Sequence, residues 1–170
     1  MDLTKYIRDV PDFPKEGIIF KDITPLLATP EAFQYTINQF CDYAKKNDIE
    51  AIVGIDARGF IFGGAVANQL GLKFVPVRKK GKLPWKTVSK KYDLEYGSAE
   101  IEIHSDALKE NEKVLIIDDL LATGGTAKAT CNLVEQLKAD IKGIAFLIDL
   151  TFLKGAEKLA PYKTFSLIKY

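Results

Sequence analysis

Apolar positions follow two alternating patterns along the chain. Mainly apolar runs are typical of strands buried on both faces of a parallel sheet, and they occur at 51–55, 114–117, 142–150 and 164–168. Between them, apolar residues recur every three or four positions, as on one face of a helix, at 30–46, at 60–70 and beyond residue 126. Strands that alternate with helices predict an α/β fold, with a mostly parallel twisted sheet and helices on both faces.

Local signals predict where the helices begin. Thr29 is suited to cap the helix over 30–46 because its hydroxyl could accept a hydrogen bond from a free backbone N–H. Thr151 is suited in the same way to cap a shorter helix that ends near Ala160. Residues 3–10 are compatible with one more short helix, ended by the proline that follows.

Two further segments are predicted to be strands of a less buried kind. Pro76 lies within the apolar run 73–78, and since proline cannot donate a ladder hydrogen bond, it indicates an edge strand or a bulge. Residues 100–104 alternate between polar and apolar, which predicts a half-exposed strand. His104, the only histidine of the chain, has no acidic partner suggested by the sequence and receives no role.

Composition limits the possible functions. The chain has 170 residues, of which 47% are hydrophobic and 28% charged, as expected of one soluble domain over 1–170. Its net charge of +1 provides no general attraction to nucleic acid or membranes, so neither is expected as a partner. The N-terminus lacks the apolar run of a signal peptide or membrane span. Cys41 and Cys131 fall on apolar helix positions and suit buried thiols in the cytoplasm.

Candidate chemistry is concentrated in residues 114–126. An apolar strand is followed by Asp118 and Asp119, then by a short loop, and then by a helical pattern. The loop can bind an anion, because glycines let the backbone approach a ligand while the first helical N–H groups point at it and threonine hydroxyls add donors. These loop residues are Ala122, Thr123, Gly124, Gly125 and Thr126. The alternative is a strand–turn–helix connection without function.

The two acids need a different ligand, since bare carboxylates repel phosphate. Asp118 and Asp119 suit the two hydroxyls of a sugar diol, or a metal ion that bridges to phosphate. A phosphate loop beside diol acceptors describes a site for a ribose 5-phosphate. The segment lacks both the Gly-Lys-Ser/Thr ending of a Walker loop and a Gly-x-Gly-x-x-Gly motif.

Two basic features could serve the same site. Arg58 ends the strand over 51–55 and should face the same crevice as Asp118, although a surface salt bridge is the alternative. Residues 79–97 are the most basic and least core-like part of the chain. They are compatible with a solvated β-hairpin, with a nucleic-acid-binding loop, or with a mobile lid over an anionic substrate.

Residues 114–126, Val-Leu-Ile-Ile-Asp-Asp-Leu-Leu-Ala-Thr-Gly-Gly-Thr, resemble the phosphoribosyl pyrophosphate (PRPP) signature of the type I phosphoribosyltransferases. That resemblance implies the fold predicted above, and it implies that 114–126 bind PRPP. Arg58 with the following glycine resembles the pair that helps hold pyrophosphate in that family. The resemblance also implies that Arg78 and Lys82 contribute to PRPP binding and that Mg²⁺ is held mainly by PRPP, with the protein's own metal ligands unknown.

Other segments resemble the members of the family that act on adenine. Residues 12–23 resemble their purine-binding hood, here placed mostly within 1–28, and imply adenine binding by Ile19, Phe20 and Lys21. There the purine stacks on the aromatic ring and its edge bonds to main chain. Residues 79–99 resemble their flexible catalytic loop, and Glu95 matches the acid–base residue near the purine.

The resemblance therefore implies an enzyme that converts adenine and PRPP to AMP and pyrophosphate, working as a homodimer in the cytoplasm. The alternative within the family is a 6-oxopurine or xanthine enzyme. Many 6-oxopurine enzymes carry an aspartate where this chain has Ala122, which favours adenine, although some xanthine enzymes also lack it. A PRPP-sensing regulator without catalysis is a further alternative from another class.

Overall fold

The computed structural model describes residues 1–93 and 97–170, and within them the chain forms nine strands and five α-helices. The strands are β1 (Arg8–Pro11), β2 (Ile19–Asp22), β3 (Ala51–Ile55), β4 (Lys73–Lys79), β5 (Thr87–Asp93), β6 (Ser98–His104), β7 (Lys113–Leu121), β8 (Asp140–Asp149) and β9 (Thr164–Lys169). The helices are α1 (Thr24–Leu27), α2 (Pro30–Lys46), α3 (Gly59–Leu70), α4 (Gly125–Gln136) and α5 (Gly155–Lys158). Among these helices, none has the combination of length and apolar character needed to cross a lipid bilayer.

Most strands belong to a seven-stranded sheet in the described part of the chain, with the order β5-β6-β4-β3-β7-β8-β9. Neighbours among β4, β3, β7, β8 and β9 are parallel, whereas β5 and β6 form an antiparallel hairpin that pairs with the end of β4. A separate two-stranded antiparallel sheet, β1 with β2, forms the N-terminal hood. Because β4, β3 and β7 are adjacent and parallel, their carboxyl ends meet at one edge of the sheet.

Both faces of the sheet are buried, which confirms the predicted α/β architecture. Alternate residues of a strand point to opposite faces, so Ile52 and Leu115 belong to one hydrophobic cluster and Val53 and Ile116 to the other. Helices α1, α2 and α3 cover the first face, and α4 covers the second. The apolar runs at 51–55 and 114–117 thus reflect strands with no solvent-exposed face.

Three helix predictions need correction. Helix α2 has the predicted bounds, but Thr29 makes no capping bond, because its hydroxyl donates to the carbonyl oxygen of Pro25. The segment after Thr151 forms a 3₁₀ turn over Thr151–Leu153 and then the single turn of α5, instead of one continuous helix to Ala160. The hydroxyl of Thr151, which was expected to cap this helix, donates instead to the carbonyl oxygen of Tyr170.

The N-terminal segment also differs from its prediction as one short helix. Residues Leu3–Tyr6 form a 3₁₀ turn, and Arg8–Pro11 form strand β1. Backbone pairing with β2 is the physical reason, since each residue of β1 lies opposite a residue of β2 from Asp22 to Ile19. A tertiary partner here overrides a weak local preference.

One strand prediction held locally and one was wrong. Strand β4 lies inside the sheet, but its pairing with β6 covers only Arg78 and Lys79, so Pro76 pairs with β3 alone and has the local edge position that was predicted. Strand β6 is not half exposed, because Glu102 is buried together with its apolar neighbours Ile101 and Ile103. The basic stretch forms a hairpin from Thr87 onwards, as one of its three interpretations predicted.

The loop between β7 and α4 packs against the start of α5 at a close backbone approach. Gly124 has a φ of +78°, which favours glycine, and a Cβ there would lie 2.7 Å from the carbonyl oxygen of Gly155. A Cβ on Gly155 would in turn collide with the carbonyl oxygen of Ala122. The absence of a side chain at Gly155 therefore lets the backbone of α5 pack directly against the loop.

This contact predicts that Gly155→Ala destabilises the protein. The added methyl group has to displace backbone, so the free energy of unfolding should fall by about 1–3 kcal/mol, measured by denaturant unfolding. Gly64→Ala is the control, because a Cβ at Gly64 in α3 meets no atom within 4 Å. It should stabilise the helix by about 0.5–1 kcal/mol. Equal stability of the two variants would contradict the predicted close approach.

Candidate active site

The loop after β7 surrounds a small cavity at the carboxyl edge of the sheet. The cavity has a volume of about 90 Å³, and its lining includes the whole predicted anion loop from Ala122 to Thr126, together with Asp118 and Ala127. Gly125 begins α4, so the first N–H groups of that helix have no partner within the helix and lie at the cavity. The structure thus brings together the backbone donors, the hydroxyl-bearing residues and one of the two acids.

Asp118 and Asp119 are unusual because one carboxylic acid residue is half-buried and the next is buried. Burial and the neighbouring Asp119 charge raise the pKa of Asp118 well above its ordinary value. Burial also raises the pKa of Asp119, against the opposing influence of Arg58. The backbone N–H of Asp119 donates to Asp118 Oδ1 over 2.9 Å. Two acceptor groups are therefore held close together in a poorly solvated place.

The start of α3 approaches Asp118 so closely that only glycine fits. A Cβ on Gly59 would lie 2.8 Å from the carbonyl oxygen of Ile117 and 2.9 Å from Asp118 Oδ1. The positive end of the α3 dipole therefore faces this carboxyl group, which partly offsets the cost of burying it. In the sequence, Arg58 and Gly59 form a predicted pair, and the close packing against Asp118 explains why glycine follows the arginine.

Arg58 connects the acids to the hood. Its Nε lies 2.7 Å from Asp119 Oδ2, yet the N–H does not point at that oxygen, so the contact is an ion pair and not a directed hydrogen bond. The guanidinium carbon lies 5.2 Å from the centre of the Phe20 ring, within cation–π range. Phe20 in turn packs edge-on against Phe13, with ring centres 5.2 Å apart.

The other two predicted adenine residues face away from this contact. Ile19 and Lys21 alternate with Phe20 along β2, and they line a different cavity of about 470 Å³ with Phe152 and Tyr170. Lys21 is also engaged there, with Nζ 2.7 Å from Asp9 Oδ1 and 3.7 Å from the centre of the Tyr170 ring. Their side chains thus lie apart from Phe20, and only their main chain shares its strand.

Arg78 and Lys82 lie one strand further along the same edge. Arg78 Nε donates to Asp56 Oδ2 over 2.9 Å, and Arg78 Nη1 donates to the carbonyl oxygen of Lys82 over 3.1 Å. Asp56 directly follows β3 and precedes Arg58 by two residues. Three adjacent strand ends therefore carry alternating basic and acidic groups.

The end of β5 that leads into the turn of the β5–β6 hairpin reaches the anion loop. The hydroxyl groups of Tyr92 and Thr126 lie 3.0 Å apart and share a hydrogen bond. Strand β5 ends at Asp93, one residue after Tyr92. The predicted acid–base residue Glu95 lies outside the residues that the structure describes.

Sequence reasoning missed four residues of this region. Asp56, Tyr92, Glu102 and Gly155 all hold predicted site residues or their loops in place. Asp56 could have been found, because an acid that ends a strand two residues before Arg58 is an available partner. The other three act through partners that are distant in sequence, and no local pattern marks such contacts.

The raised carboxyl pKa values predict that Asp118→Asn stabilises the free protein. A carboxyl group with a raised pKa binds its proton more tightly in the folded state, so stability falls as pH rises from the ordinary value through the raised one. An amide at residue 118 has no charged form. Its melting temperature should exceed that of the parent by a few degrees at pH 8, and the difference should shrink towards pH 4.

Asp106→Asn is the control for this prediction, because Asp106 is exposed and distant in sequence from the loop. It should leave the melting temperature nearly unchanged at both pH values. A destabilised Asp118→Asn protein at pH 8 would mean that the carboxylate forms favourable contacts that outweigh its burial.

Comparison with known proteins identifies the family to which the chain belongs. The phosphoribosyl transferase domain family matches residues 26–169. An adenine phosphoribosyltransferase of Halothermothrix orenii is 55% identical over 169 residues, covering 99% of each chain. The crystal structure of adenine phosphoribosyltransferase from Thermoanaerobacter pseudethanolicus superposes with a TM-score of 0.96 at 50% identity, covering 99% of this chain and 98% of that one.

A further solved structure is that of the Saccharomyces cerevisiae adenine phosphoribosyltransferase in complex with adenine and an imino-altritol bisphosphate. It has a TM-score of 0.93 and 41% identity, and the match covers 97% of this chain and 96% of that one. Matches of this extent include the hood, the sheet and the loop after β7. The chain therefore belongs to the phosphoribosyltransferase family and, within it, to the adenine phosphoribosyltransferases.

Proposed function

We propose that the protein transfers the 5-phosphoribosyl group of PRPP to adenine, which yields AMP and pyrophosphate. The observation that carries this proposal is a series of neighbouring groups: the anion loop shares a cavity with Asp118, Asp118 bonds to Asp119, Asp119 pairs with Arg58, and Arg58 lies over Phe20. The order of these groups matches the order of groups in the joined substrates: 5-phosphate, ribose diol, anomeric carbon with pyrophosphate, and purine.

In this proposal the anion loop binds the 5-phosphate. Its donors are the first N–H groups of α4 with the hydroxyls of Thr123 and Thr126, and these suit a phosphate that carries two negative charges. Asp118 and Asp119 accept hydrogen bonds from the ribose 2- and 3-hydroxyls. A diol donates two hydrogen bonds to the pair and so stabilises its ionised form, which burial alone disfavours.

Pyrophosphate leaves from the anomeric carbon, so its site has to be basic. Arg58, Arg78 and Lys82 provide cations at two neighbouring strand ends, and arginine can bind phosphate oxygens with two parallel hydrogen bonds. In this proposal Mg²⁺ arrives bound to PRPP, whose phosphate oxygens are ligands that the ion prefers. When bound, Mg²⁺ supplies charge neutralisation to the pyrophosphate oxygens.

The purine site follows from Phe20 and the main chain around it. A peptide N–H and C=O of Ile19 or Lys21 can bond to one edge of adenine while the ring stacks on Phe20. Stacked planes are separated by roughly 3.5 Å, so a purine between Phe20 and Arg58 needs about 7 Å. The present distance is 5.2 Å, and Arg58 therefore has to move aside when the purine binds.

Chemistry at the purine requires a proton acceptor. As the bond from the adenine ring nitrogen to the anomeric carbon forms, the bond from that carbon to the pyrophosphate oxygen breaks, and the ring nitrogen loses its proton. Glu95 is the candidate acceptor in this proposal, and it follows in sequence shortly after Tyr92, whose hydroxyl contacts Thr126 at the end of β5. Closure of the hairpin would exclude water, which could otherwise hydrolyse the activated sugar.

We further propose that the protein works as a homodimer in the cytoplasm. Cys41 and Cys131 are free and buried, and burial raises the pKa of Cys131 to about 12. Thiols of this kind are unreactive and suit a reducing compartment. The dimer proposal rests on the family, in which basic loop residues can act across a subunit interface.

The reaction can be tested by incubating the protein with PRPP, Mg²⁺ and one purine at a time, followed by chromatography of the products. AMP and pyrophosphate should form in equal amounts from adenine, and omission of any component should abolish them. Ala122 favours adenine, so hypoxanthine and guanine should react at least about 100-fold less efficiently, the usual scale for a site that requires specific hydrogen bonds. Equal use of hypoxanthine would replace the adenine assignment with its 6-oxopurine alternative.

Glu95→Gln tests the proton acceptor. The amide keeps the size of the side chain but cannot take the proton, so kcat should fall by roughly 10²–10⁴-fold. The Kd for PRPP, measured by calorimetry with Mg²⁺, should change little, because the anion loop and the diol acceptors remain. A normal kcat would exclude Glu95 as the base, and a loss of PRPP affinity equal to the loss of rate would make it a binding residue.

A further inference from the structure

Glu102 is a buried carboxylate with no place in the reaction described above. It lies near the middle of β6, opposite Arg78 of β4 and Ser89 of β5, and is only 4% exposed. Burial of an acidic side chain is costly unless hydrogen bonds compensate for the lost water. The partners that provide this compensation therefore show what the residue holds in place.

Those partners belong to the turn that follows β4. Glu102 Oε1 accepts hydrogen bonds from the backbone N–H groups of Gly81 and Leu83, each over 3.0 Å, and Oε2 accepts one from the Thr87 hydroxyl over 3.3 Å. Gly81 and Leu83 are the two neighbours of Lys82. One carboxylate oxygen thus clamps the turn on both sides of that lysine.

The turn and Arg78 form one hydrogen-bonded unit. Arg78 Nη1 donates to the carbonyl oxygen of Lys82, while Arg78 Nε donates to Asp56 at the end of β3. Fixing the peptide of Lys82 therefore also fixes one of the two contacts that orient the guanidinium group. Release of the turn would let the backbone that carries Lys82 move and would remove a restraint on Arg78.

We infer that Glu102 is a positioning residue for the pyrophosphate half of PRPP, which it reaches only through Lys82 and Arg78. This inference rests on the proposed function, because it assigns pyrophosphate to those two basic residues. The adenine side of the site lies elsewhere, at Phe20, and the 5-phosphate side at the loop before α4. Loss of Glu102 should therefore weaken binding of PRPP but not of AMP, which has no pyrophosphate.

The proposed role of Glu102 requires an oxygen that accepts both backbone N–H groups and does not require a negative charge. A substitution that keeps such an oxygen should therefore keep PRPP binding. A glutamine at residue 102 has a carbonyl oxygen that can accept both backbone N–H groups, and its amide can donate to the Thr87 hydroxyl. An alanine leaves both N–H groups without a partner. Glu100→Ala is the matched control, since Glu100 lies two residues away on β6 and pairs at the surface with Lys80 and Ser89.

The experiment measures the Kd of PRPP with Mg²⁺ and the Kd of AMP for the parent, Glu102→Ala, Glu102→Gln and Glu100→Ala. Misplacement of the two basic groups should raise the Kd of PRPP about 10- to 100-fold in Glu102→Ala, with the Kd of AMP unchanged within about threefold. Glu102→Gln should restore PRPP binding to within about threefold of the parent. Glu100→Ala should match the parent, because exposed ion pairs contribute little.

Two results would overturn the inference. One is unchanged PRPP affinity in Glu102→Ala, and the other is an equal loss of PRPP and AMP affinity, which would indicate a general structural role. If Glu102→Ala does not fold, Glu102→Asp decides by the same criterion, because its shorter side chain stays acidic but cannot reach both N–H groups. Failure of the proposed function is seen separately, as a parent protein that forms no AMP from adenine and PRPP.

Discussion

The limited solvent exposure of two adjacent carboxyl groups near the end of strand β7 constrains the rest of this structure. Asp119 is buried and Asp118 is half-buried, in a part of β7 that pairs with β8 and adjoins the start of α3, and burial raises both pKa values. The surroundings are organised to offset that cost. Arg58 pairs with Asp119, the start of α3 faces Asp118, and Gly59 allows this helix to approach. The compensation is incomplete, as the raised pKa values indicate.

Incomplete compensation is useful to a binding site of the proposed kind. If hydrogen bonds within the protein fully compensated both acids, replacing those partners with the hydroxyls of a sugar would bring no gain in free energy. Arg58 adds a second link, because the same guanidinium lies against Asp119 and over the Phe20 ring. Any ligand group that takes over Asp119 or stacks on Phe20 therefore changes the environment of the other. Stability is lower here than a neutral site would allow, which is a common cost of function.

The sequence predicted the elements that depend on local periodicity. The helix over 30–46 and the strands beginning near residues 51, 114 and 142 were visible because burial on one or both faces imposes a repeat. The errors share a different cause. β1 exists because β2 pairs with it, and Thr29 donates to Pro25 instead of capping α2. Each outcome depends on a partner that the local sequence does not reveal.

The same distinction applies to the candidate site. One continuous segment contains Asp118, Asp119 and the loop up to Thr126, so the sequence alone could predict that these residues lie together. The placement of the basic stretch could not, because its charge alone also suited a nucleic-acid-binding loop. The placement depends on an acid on the neighbouring strand: Glu102 accepts hydrogen bonds from the N–H groups of Gly81 and Leu83, and the turn between them is bonded to Arg78, which pairs with Asp56. In the proposed function, one buried carboxylate thereby holds the backbone beside Lys82 and Arg78 in place for the pyrophosphate half of PRPP, which a general excess of positive charge would not do.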